Sequence, residues 1–215
     1  MKKIPLLYLF GKYSILTFAK IVFGYKVNNR NHVPPKGPFI LASNHISYYD
    51  PPLVGCATSR ICNFMAKKEL FGNKIVGWVL RRVLAIPIDR TGFGGDTIKR
   101  VLRILKSNGG LVMFPEGTRS AKGEMREMKI GVGLLALRSG AVVVPTFIQN
   151  SENALKNRLT GKKVIVTFAE PIRPEEFSNF PPGKEGYKAL TDEVNRRIKI
   201  LKDKQVNSNP VKTNV

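Results

Sequence analysis

Hydrophobic residues occur along this chain in two arrangements: short continuous runs, and longer segments in which they recur every three or four positions. Continuous apolar runs are typical of buried strands, whereas the wider spacing is typical of amphipathic helices. We predict strands over residues 39–42, 61–66, 83–88, 111–114, 141–148 and 162–168, and a short β-like segment within 25–33. Because helical segments alternate with these strands, the pattern predicts an α/β fold with a single sheet flanked by helices.

The helical segments are bounded by residues that commonly start or stop helices. We place helices at about residues 67–82, 98–105, 128–139 and 190–201. A further helix is expected to begin at Asp50, with the Asp50 side chain as the N-cap and Pro51 in the first helical position. In the helix over 67–82, Trp78 is expected to pack against other apolar side chains. Residues 131–136 match the dinucleotide-binding pattern Gly-x-Gly-x-x-Ala, but no strand precedes them, so we reject that function.

The first 24 residues open with Met1 and two lysines and are then mainly apolar, interrupted by Lys12 and Lys20. A secretory signal would have an unbroken apolar core and a small-residue cleavage site, which this segment lacks. A spanning helix would place a lysine near the middle of the bilayer at a cost of roughly 2.5–3.5 kcal/mol, whereas a lysine that snorkels from a helix lying in one leaflet costs less. We therefore predict that residues 1–24 form an interfacial membrane-anchoring helix. The alternative is a helix packed on the protein's own core, which predicts a soluble protein.

The rest of the chain is long enough for one substantial core, and we predict a single domain over residues 25–203 and a polar, disordered tail over 204–215. Charge adds more information than composition, because 36 lysines and arginines against 15 acidic residues give a net charge of +21. This balance favours an anionic partner, which would be nucleic acid, acidic lipid or a phosphorylated substrate. Cys56 and Cys62 have no metal-binding or redox spacing, so we predict free, buried thiols in a reducing compartment and no metal site.

Two polar segments directly follow predicted strands, where α/β sheets carry their chemistry. The first, residues 44–50, contains His45 and Asp50. A neutral imidazole can remove the proton of an attacking alcohol, and a carboxylate on its other nitrogen orients the ring and stabilises the imidazolium. The second, residues 114–120, contains Arg119, whose planar guanidinium suits phosphate oxygens. The ordinary interpretations are that Asp50 only caps a helix and that Arg119 is a solvated surface charge.

The order of four sequence blocks along the chain favours a catalytic role for His45 and Asp50 and a phosphate-binding role for Arg119 over the ordinary interpretations. Residues 44–50, 68–90, 114–119 and 143–145 resemble, in this order, the motifs of the glycerolipid acyltransferase family, and most closely its lysophosphatidate acyltransferases. The family's His-x4-Asp motif falls on His45 and Asp50, and the resemblance implies a general base and the residue that orients it. It also implies an acceptor-phosphate site formed by Arg90, Glu116, Gly117, Thr118 and Arg119, with Lys68 and Lys129 as weaker candidates. Within that site, Glu116 is expected to hold a basic side chain or a glycerol hydroxyl rather than phosphate.

The resemblance implies transfer of a fatty acyl group from acyl-CoA or acyl carrier protein to the free hydroxyl of lysophosphatidate, which gives phosphatidate. It implies no cofactor beyond this co-substrate, and its partners would be lysophosphatidate, the acyl donor and anionic membrane lipids. Because the donor is made in the cytoplasm, we expect a peripheral or monotopic protein on the cytoplasmic face of the cell membrane. A nearer alternative is acylation of glycerol-3-phosphate or another lysolipid. A nucleic-acid-binding protein has only the net charge in its favour, and we expect no nucleic-acid partner.

Overall fold

The computed structural model describes residues 6–89, 94–120 and 125–208. Seven strands form one sheet in the order β1-β7-β6-β2-β5-β3-β4. Their bounds are β1 Lys26–Asn28, β2 Phe39–Ser43, β3 Cys62–Lys67, β4 Ala85–Ile88, β5 Gly110–Met113, β6 Val142–Gln149 and β7 Ile165–Phe168. Neighbouring strands are parallel except β6 and β7, which pair antiparallel. The prediction of an α/β fold is confirmed.

Helices connect the strands and cover both faces of the sheet. Their bounds are α1 Leu6–Phe23, α2 Asp50–Cys56, α3 Lys74–Arg82, α4 Gly95–Lys106, α5 Gly131–Ser139, α6 Ala154–Leu159 and α7 Gly183–Ser208. Short 3-10 helices occupy Arg30–His32, Lys68–Gly72 and Pro174–Asn179. The helix α7 continues through Ser208 and so enters the segment that we predicted to be disordered. Residues 209–215 of that segment lie outside the described residues.

The alternating side chains of β2 divide the interior into two cores, as the two-residue period of a strand requires. Ile40 and Ala42 belong to the core beneath α4, α5 and α7, whereas Phe39 and Leu41 belong to the core beneath α1 and α2. Right-handed crossovers explain this division, because β2-α2-β3 crosses the sheet in one direction and β4-α4-β5 and β5-α5-β6 cross it in the other. The crossover β3-α3-β4 runs in the same direction as that of α2 and therefore places α3 on the α1–α2 face.

Helix α2 begins at Asp50 as expected, but the predicted N-cap position is wrong by one residue, so Asp50 does not have the predicted capping role. Tyr49 occupies the N-cap position without a side-chain cap, and Asp50 is the first helical residue. Farther along, the predicted helix over 67–82 divides into a 3-10 helix and α3, because Asn73 caps α3 with its side-chain oxygen. Trp78 does not pack into the interior as expected, since 47% of its surface is exposed.

The N-terminal helix α1 has one side buried against α2 and another side exposed and apolar. Lys12 lies on the buried side, where its ammonium donates to the carbonyls of Thr58 at 2.7 Å and Arg60 at 2.9 Å. Burial lowers the pKa of Lys12. The expectation that this lysine snorkels to a lipid headgroup is therefore wrong, although Lys20 is exposed. By length and composition, α1 is also the one described helix that is long and apolar enough to cross a membrane.

Candidate active site

The polar segments that follow β2 and β5 meet at the carboxyl edge of the sheet, because these two strands are parallel neighbours. His45 lies two residues after the end of β2, and Asp50 is the first residue of α2. The ring Nδ1 of His45 lies 2.9 Å from Oδ2 of Asp50. The Asp50 side chain is fully buried, whereas 17% of the His45 side chain reaches the surface. The structure thus brings together the two residues predicted to be catalytic.

The protein supplies donors to both oxygens of the Asp50 carboxylate. Oδ2 accepts from the backbone amides of Ile46 and Ser47, each at 2.7 Å, and Oδ1 accepts from the Ser151 hydroxyl at 2.5 Å. Because these groups donate, the carboxylate is an acceptor, and the hydrogen on the His45 ring is assigned to Nδ1. The other ring nitrogen, Nε2, then carries the lone pair that a general base needs.

The segment that follows β5 holds the backbone of His45 from the other side. Glu116 accepts from the His45 amide at 3.0 Å. Ser120 donates to the His45 carbonyl twice, through its amide at 2.8 Å and its hydroxyl at 3.1 Å. The Phe114 ring stacks on the imidazole with 4.2 Å between centroids. Residues 114–120 therefore determine where the His45 ring lies as well as lining the site.

The contacts of Glu116 differ from the expected contact with a basic side chain or substrate hydroxyl. Glu116 is buried, with 3% of its surface exposed. Its second oxygen accepts from the backbone amide of Arg126 at 3.1 Å. In this structure the carboxylate therefore bridges two backbone amides, one from His45 and one from the segment that leads into α5.

The outer part of the same turn carries cationic side chains. Gly117 has a positive φ of 73°, which a glycine adopts without strain, and its amide closes a turn onto the Phe114 carbonyl at 3.0 Å. This turn leaves Gly117, Thr118 and Arg119 exposed. The Arg119 guanidinium lies 3.5 Å from the centroid of the Tyr48 ring, a contact that places its charge beside the segment containing His45.

Lys129 and Arg126 lie next to this turn. The Lys129 amide donates to the Pro115 carbonyl at 3.0 Å, and the Lys129 side chain passes so close to Gly117 that an added Cβ would meet its Nζ at 3.2 Å. Arg126 donates to the Thr118 hydroxyl at 3.3 Å. Arg126 was not predicted from the sequence, but with Arg119 and Lys129 it gives this side of the site three positive charges that suit a phosphate.

The remaining predicted phosphate ligands lie apart from this cluster or outside the described residues. Lys68 follows β3, which is two strands from β2, so about 10 Å of sheet separates the two strands. Its ammonium pairs with Asp89 at 3.2 Å, and both side chains are exposed. Arg90 lies outside the described residues.

Several backbone amides already have hydrogen-bond partners within the protein, and both thiols are held in an unreactive form. The amides of His45, Ile46, Ser47 and Gly117 all donate within the protein, so each would have to exchange a bond to stabilise an oxyanion. Cys56 and Cys62 are free and buried, as predicted. Burial raises the pKa of Cys56 to about 11 and that of Cys62 to about 12, which keeps both as neutral thiols.

Sequence reasoning missed Ser151 and Ser120, both of which contact the His45–Asp50 pair or its backbone. Ser151 follows β6, another parallel neighbour of β2, so it reaches the same edge of the sheet. Asn150 before it has a positive φ of 62°, a conformation that asparagine adopts more readily than most residues. The available sequence signal for Ser151 was an Asn-Ser pair after a predicted strand. Using this signal required knowledge that the strand lies beside β2 in the sheet.

Comparisons with known sequences point to one family. A family model described as Acyltransferase matches residues 24–149. The 1-acyl-sn-glycerol-3-phosphate acyltransferase of Bacillus subtilis (strain 168) is 31% identical over 199 residues, which are 92% of this chain and 98% of that protein. The protein of the same name from Streptococcus pneumoniae is 29% identical over 177 residues, 81% of this chain and 64% of that protein.

A solved structure extends the agreement to the fold. The crystal structure of the 1-acyl-sn-glycerophosphate (LPA) acyltransferase, PlsC, from Thermotoga maritima matches with a TM-score of 0.69 at 26% identity, and the match covers 94% of this chain and 84% of that one. The matched family model covers more than half of the chain, and the Bacillus subtilis relative is similar over almost its entire length. The chain therefore belongs to the acyltransferase family.

Proposed function

We propose that this acyltransferase moves a fatty acyl group from acyl-CoA or acyl carrier protein to the free hydroxyl of 1-acyl-sn-glycerol-3-phosphate, which gives phosphatidate. The observation that carries the proposal is the contact of His45 Nδ1 with Asp50 Oδ2 at 2.9 Å. The Asp50 carboxylate also accepts hydrogen bonds from the amides of Ile46 and Ser47 and from the Ser151 hydroxyl. This arrangement leaves Nε2 of His45 to accept a proton. The names of the similar proteins support lysophosphatidate as the acceptor.

In the proposed reaction, the acceptor hydroxyl gives its proton to Nε2 of His45 while its oxygen attacks the thioester carbonyl. A new C–O bond forms, and the tetrahedral intermediate then loses the sulfur as its C–S bond breaks. Thiols have a pKa near ~8.5, so the sulfur can leave as a thiolate without being protonated first. The thiolate then takes from His45 the proton that came from the acceptor hydroxyl. Asp50 stabilises the positive imidazolium while that proton is held. No acyl-enzyme is required.

The acceptor's phosphate would bind the cationic side chains beside His45. Arg119 offers a planar fork of donors, and Lys129 and Arg126 add positive charge at the same turn. Lysophosphatidate and acyl-CoA both carry phosphate, so the same charges would attract either substrate. The proposal includes no cofactor, and the acyl donor acts as a co-substrate.

The lipid substrate and helix α1 support a position on a membrane. Phe10, Tyr13, Phe18 and Ile21 on α1 are exposed, while its opposite side packs on the protein. A helix with this distribution suits the interface of a bilayer, where its apolar side chains enter the headgroup region. We place the enzyme on the cytoplasmic face, because acyl-CoA and acyl carrier protein are cytoplasmic donors.

The test is acyl transfer by purified protein in detergent micelles, with labelled acyl-CoA, or acyl carrier protein in a parallel series, and a panel of acceptors. Wild type is compared with His45→Ala and with His32→Ala, a control at the other histidine, which pairs with Glu170 at 3.0 Å. Label in phosphatidate is expected with wild type and His32→Ala and not with His45→Ala. Turnover by His45→Ala close to that of wild type would refute the general-base role. Label in the product of glycerol-3-phosphate or another lysolipid would change the acceptor and keep the mechanism.

A further inference from the structure

Helix α3 and the segment before it carry large apolar side chains that the described protein leaves partly exposed. Leu70 precedes the helix, and Ile75, Val76, Trp78 and Val79 lie on it; between 41% and 77% of each residue's surface is exposed. We name these five residues the α3 face. A contiguous apolar face of this kind on a soluble surface commonly marks a site of association.

The α3 face is held outward by a close backbone contact. Gly77 is the buried residue of α3, and a Cβ at this position would come within 2.5 Å of the Phe71 carbonyl oxygen. The helix therefore rests on the turn that precedes it through its smallest residue. Its larger side chains project away from that contact.

Several basic residues lie close to the α3 face in the sequence. Residues 67–82 contain five basic side chains and one acidic side chain, and the basic ones are Lys67, Lys68, Lys74, Arg81 and Arg82. The Arg82 guanidinium lies over the Trp78 ring at 4.9 Å from its centroid. Apolar and aromatic side chains with a rim of lysine and arginine are the composition of helices that lie in the surface of an anionic bilayer.

The distribution of exposed apolar residues is one-sided. Eleven of the seventeen large hydrophobic residues exposed in the described parts of the chain lie on α1 or in the α3 face. The right-handed crossover β3-α3-β4 places α3 on the face of the sheet that α1 covers. On the opposite face, covered by α4, α5 and α7, the exposed ones are Ile130, just before α5, and Ile200 on α7. The exposed large hydrophobic residues of the described chain are therefore concentrated on one side of the sheet.

We propose that the α3 face is a second membrane-docking surface, separate from α1, and that it seats on an anionic lipid bilayer with Trp78 and Ile75 at the level of the headgroups. The segment that leads into α3 leaves the sheet at the carboxyl end of β3, the edge at which His45 lies. Docking there would hold the candidate active site against the lipid surface. The inference rests on the proposed function, because that function explains why the protein would need a lipid surface. Its test does not require turnover.

Trp78 is the single tryptophan of the chain, so its fluorescence reports on α3 directly. Full-length wild-type protein is mixed with vesicles of phosphatidylcholine and phosphatidylglycerol, with vesicles of phosphatidylcholine alone, and with anionic vesicles that contain brominated acyl chains. We expect a blue shift of the emission with anionic vesicles, a smaller one with neutral vesicles, and quenching by the brominated chains. Vesicle binding measured by sedimentation with no change in the Trp78 emission would overturn the proposal.

The variant Ile75→Gln/Val79→Gln keeps the reporter and the charge and removes two apolar contacts. Its partition into anionic vesicles should fall by about tenfold, which corresponds to about 1.4 kcal/mol, and its blue shift should shrink. The control Ile200→Gln makes the same kind of change on the opposite face and should bind like wild type. Equal loss in both variants would refute a specific role of α3. A blue shift that depends on protein concentration without vesicles would also refute it, because the face would then bind a second copy of the chain.

Discussion

Replacing Asp50 with asparagine separates the charge of this carboxylate from its hydrogen bonds. The amide oxygen of asparagine can take the position of Oδ2 and accept from His45, Ile46 and Ser47. The amide nitrogen then takes the position of Oδ1 and donates to the Ser151 hydroxyl, which can rotate and accept. The variant should therefore keep the shape and the partners of the site and lose one negative charge.

The size of the effect follows from the distance between the charges. When His45 holds the acceptor's proton, its positive ring lies roughly 4 Å from the carboxylate, and the attraction is about 4 kcal/mol at an effective dielectric constant of about 20. Loss of that attraction raises the barrier for the chemical step. Because about 1.36 kcal/mol corresponds to a tenfold change in rate, kcat should fall by about 10³. The Tm should stay within about 4 °C of the wild-type value, since no buried donor is left unpaired.

The assay measures kcat at saturating acceptor, with thermal unfolding of the same preparations. Asp50→Ala is the comparison, because it leaves the amides of Ile46 and Ser47 without an acceptor. It should lose at least about 2 kcal/mol of stability, or about 4–8 °C in Tm. A kcat for Asp50→Asn within tenfold of wild type would refute the electrostatic role of Asp50. A Tm for Asp50→Asn as low as that of Asp50→Ala would refute the exchange of hydrogen bonds with Ser151.

Two further predictions concern buried positions away from this pair. Cys56 and Cys62 should react with a thiol reagent at pH 8 only after unfolding, because burial raises their pKa values to about 11 and about 12 and leaves little thiolate. A time course of labelling with and without denaturant measures this. Fast labelling of the native protein would contradict the prediction. Gly133→Ala should cost about 2 kcal/mol or more in unfolding free energy, because the new Cβ would lie 2.0 Å from the Tyr187 carbonyl oxygen. Chemical denaturation measures that loss, and Gly11→Ala in α1 serves as the control, because this helical glycine also lacks a positive φ but has open space around it. An unchanged free energy for Gly133→Ala would show that α5 and α7 can move apart easily.

The sequence was sufficient for features that depend on neighbours along the chain. Apolar runs located the buried strands, and a five-residue spacing located His45 and Asp50 at the end of one of them. The close approach of α5 to α7 also explains the Gly-x-Gly-x-x-Ala pattern that we rejected as a nucleotide site. Gly133 in that pattern faces the Tyr187 backbone rather than a phosphate.

Features that depend on strand order could not be predicted in the same way. Ser151 contacts Asp50 from 101 positions away because β6 lies beside β2 in the sheet. The prediction that Trp78 packs against other apolar side chains was wrong for a related reason. An apolar stripe shows that a helix has a hydrophobic side, but not whether the protein itself covers that side, and here 47% of the Trp78 surface is exposed.

The stretch 114–120 shows how one motif can serve two physical roles that sequence reasoning does not separate. Its buried residues, Glu116 and Ser120, bind the amide and the carbonyl of His45, whereas Gly117, Thr118 and Arg119 form the exposed turn between them. Because Glu116 has both oxygens on backbone amides, its removal should displace the general base and lower kcat. Loss of activity at position 116 therefore does not identify a substrate contact. A change in KM for the acceptor is instead expected at Arg119, the side chain that faces outward.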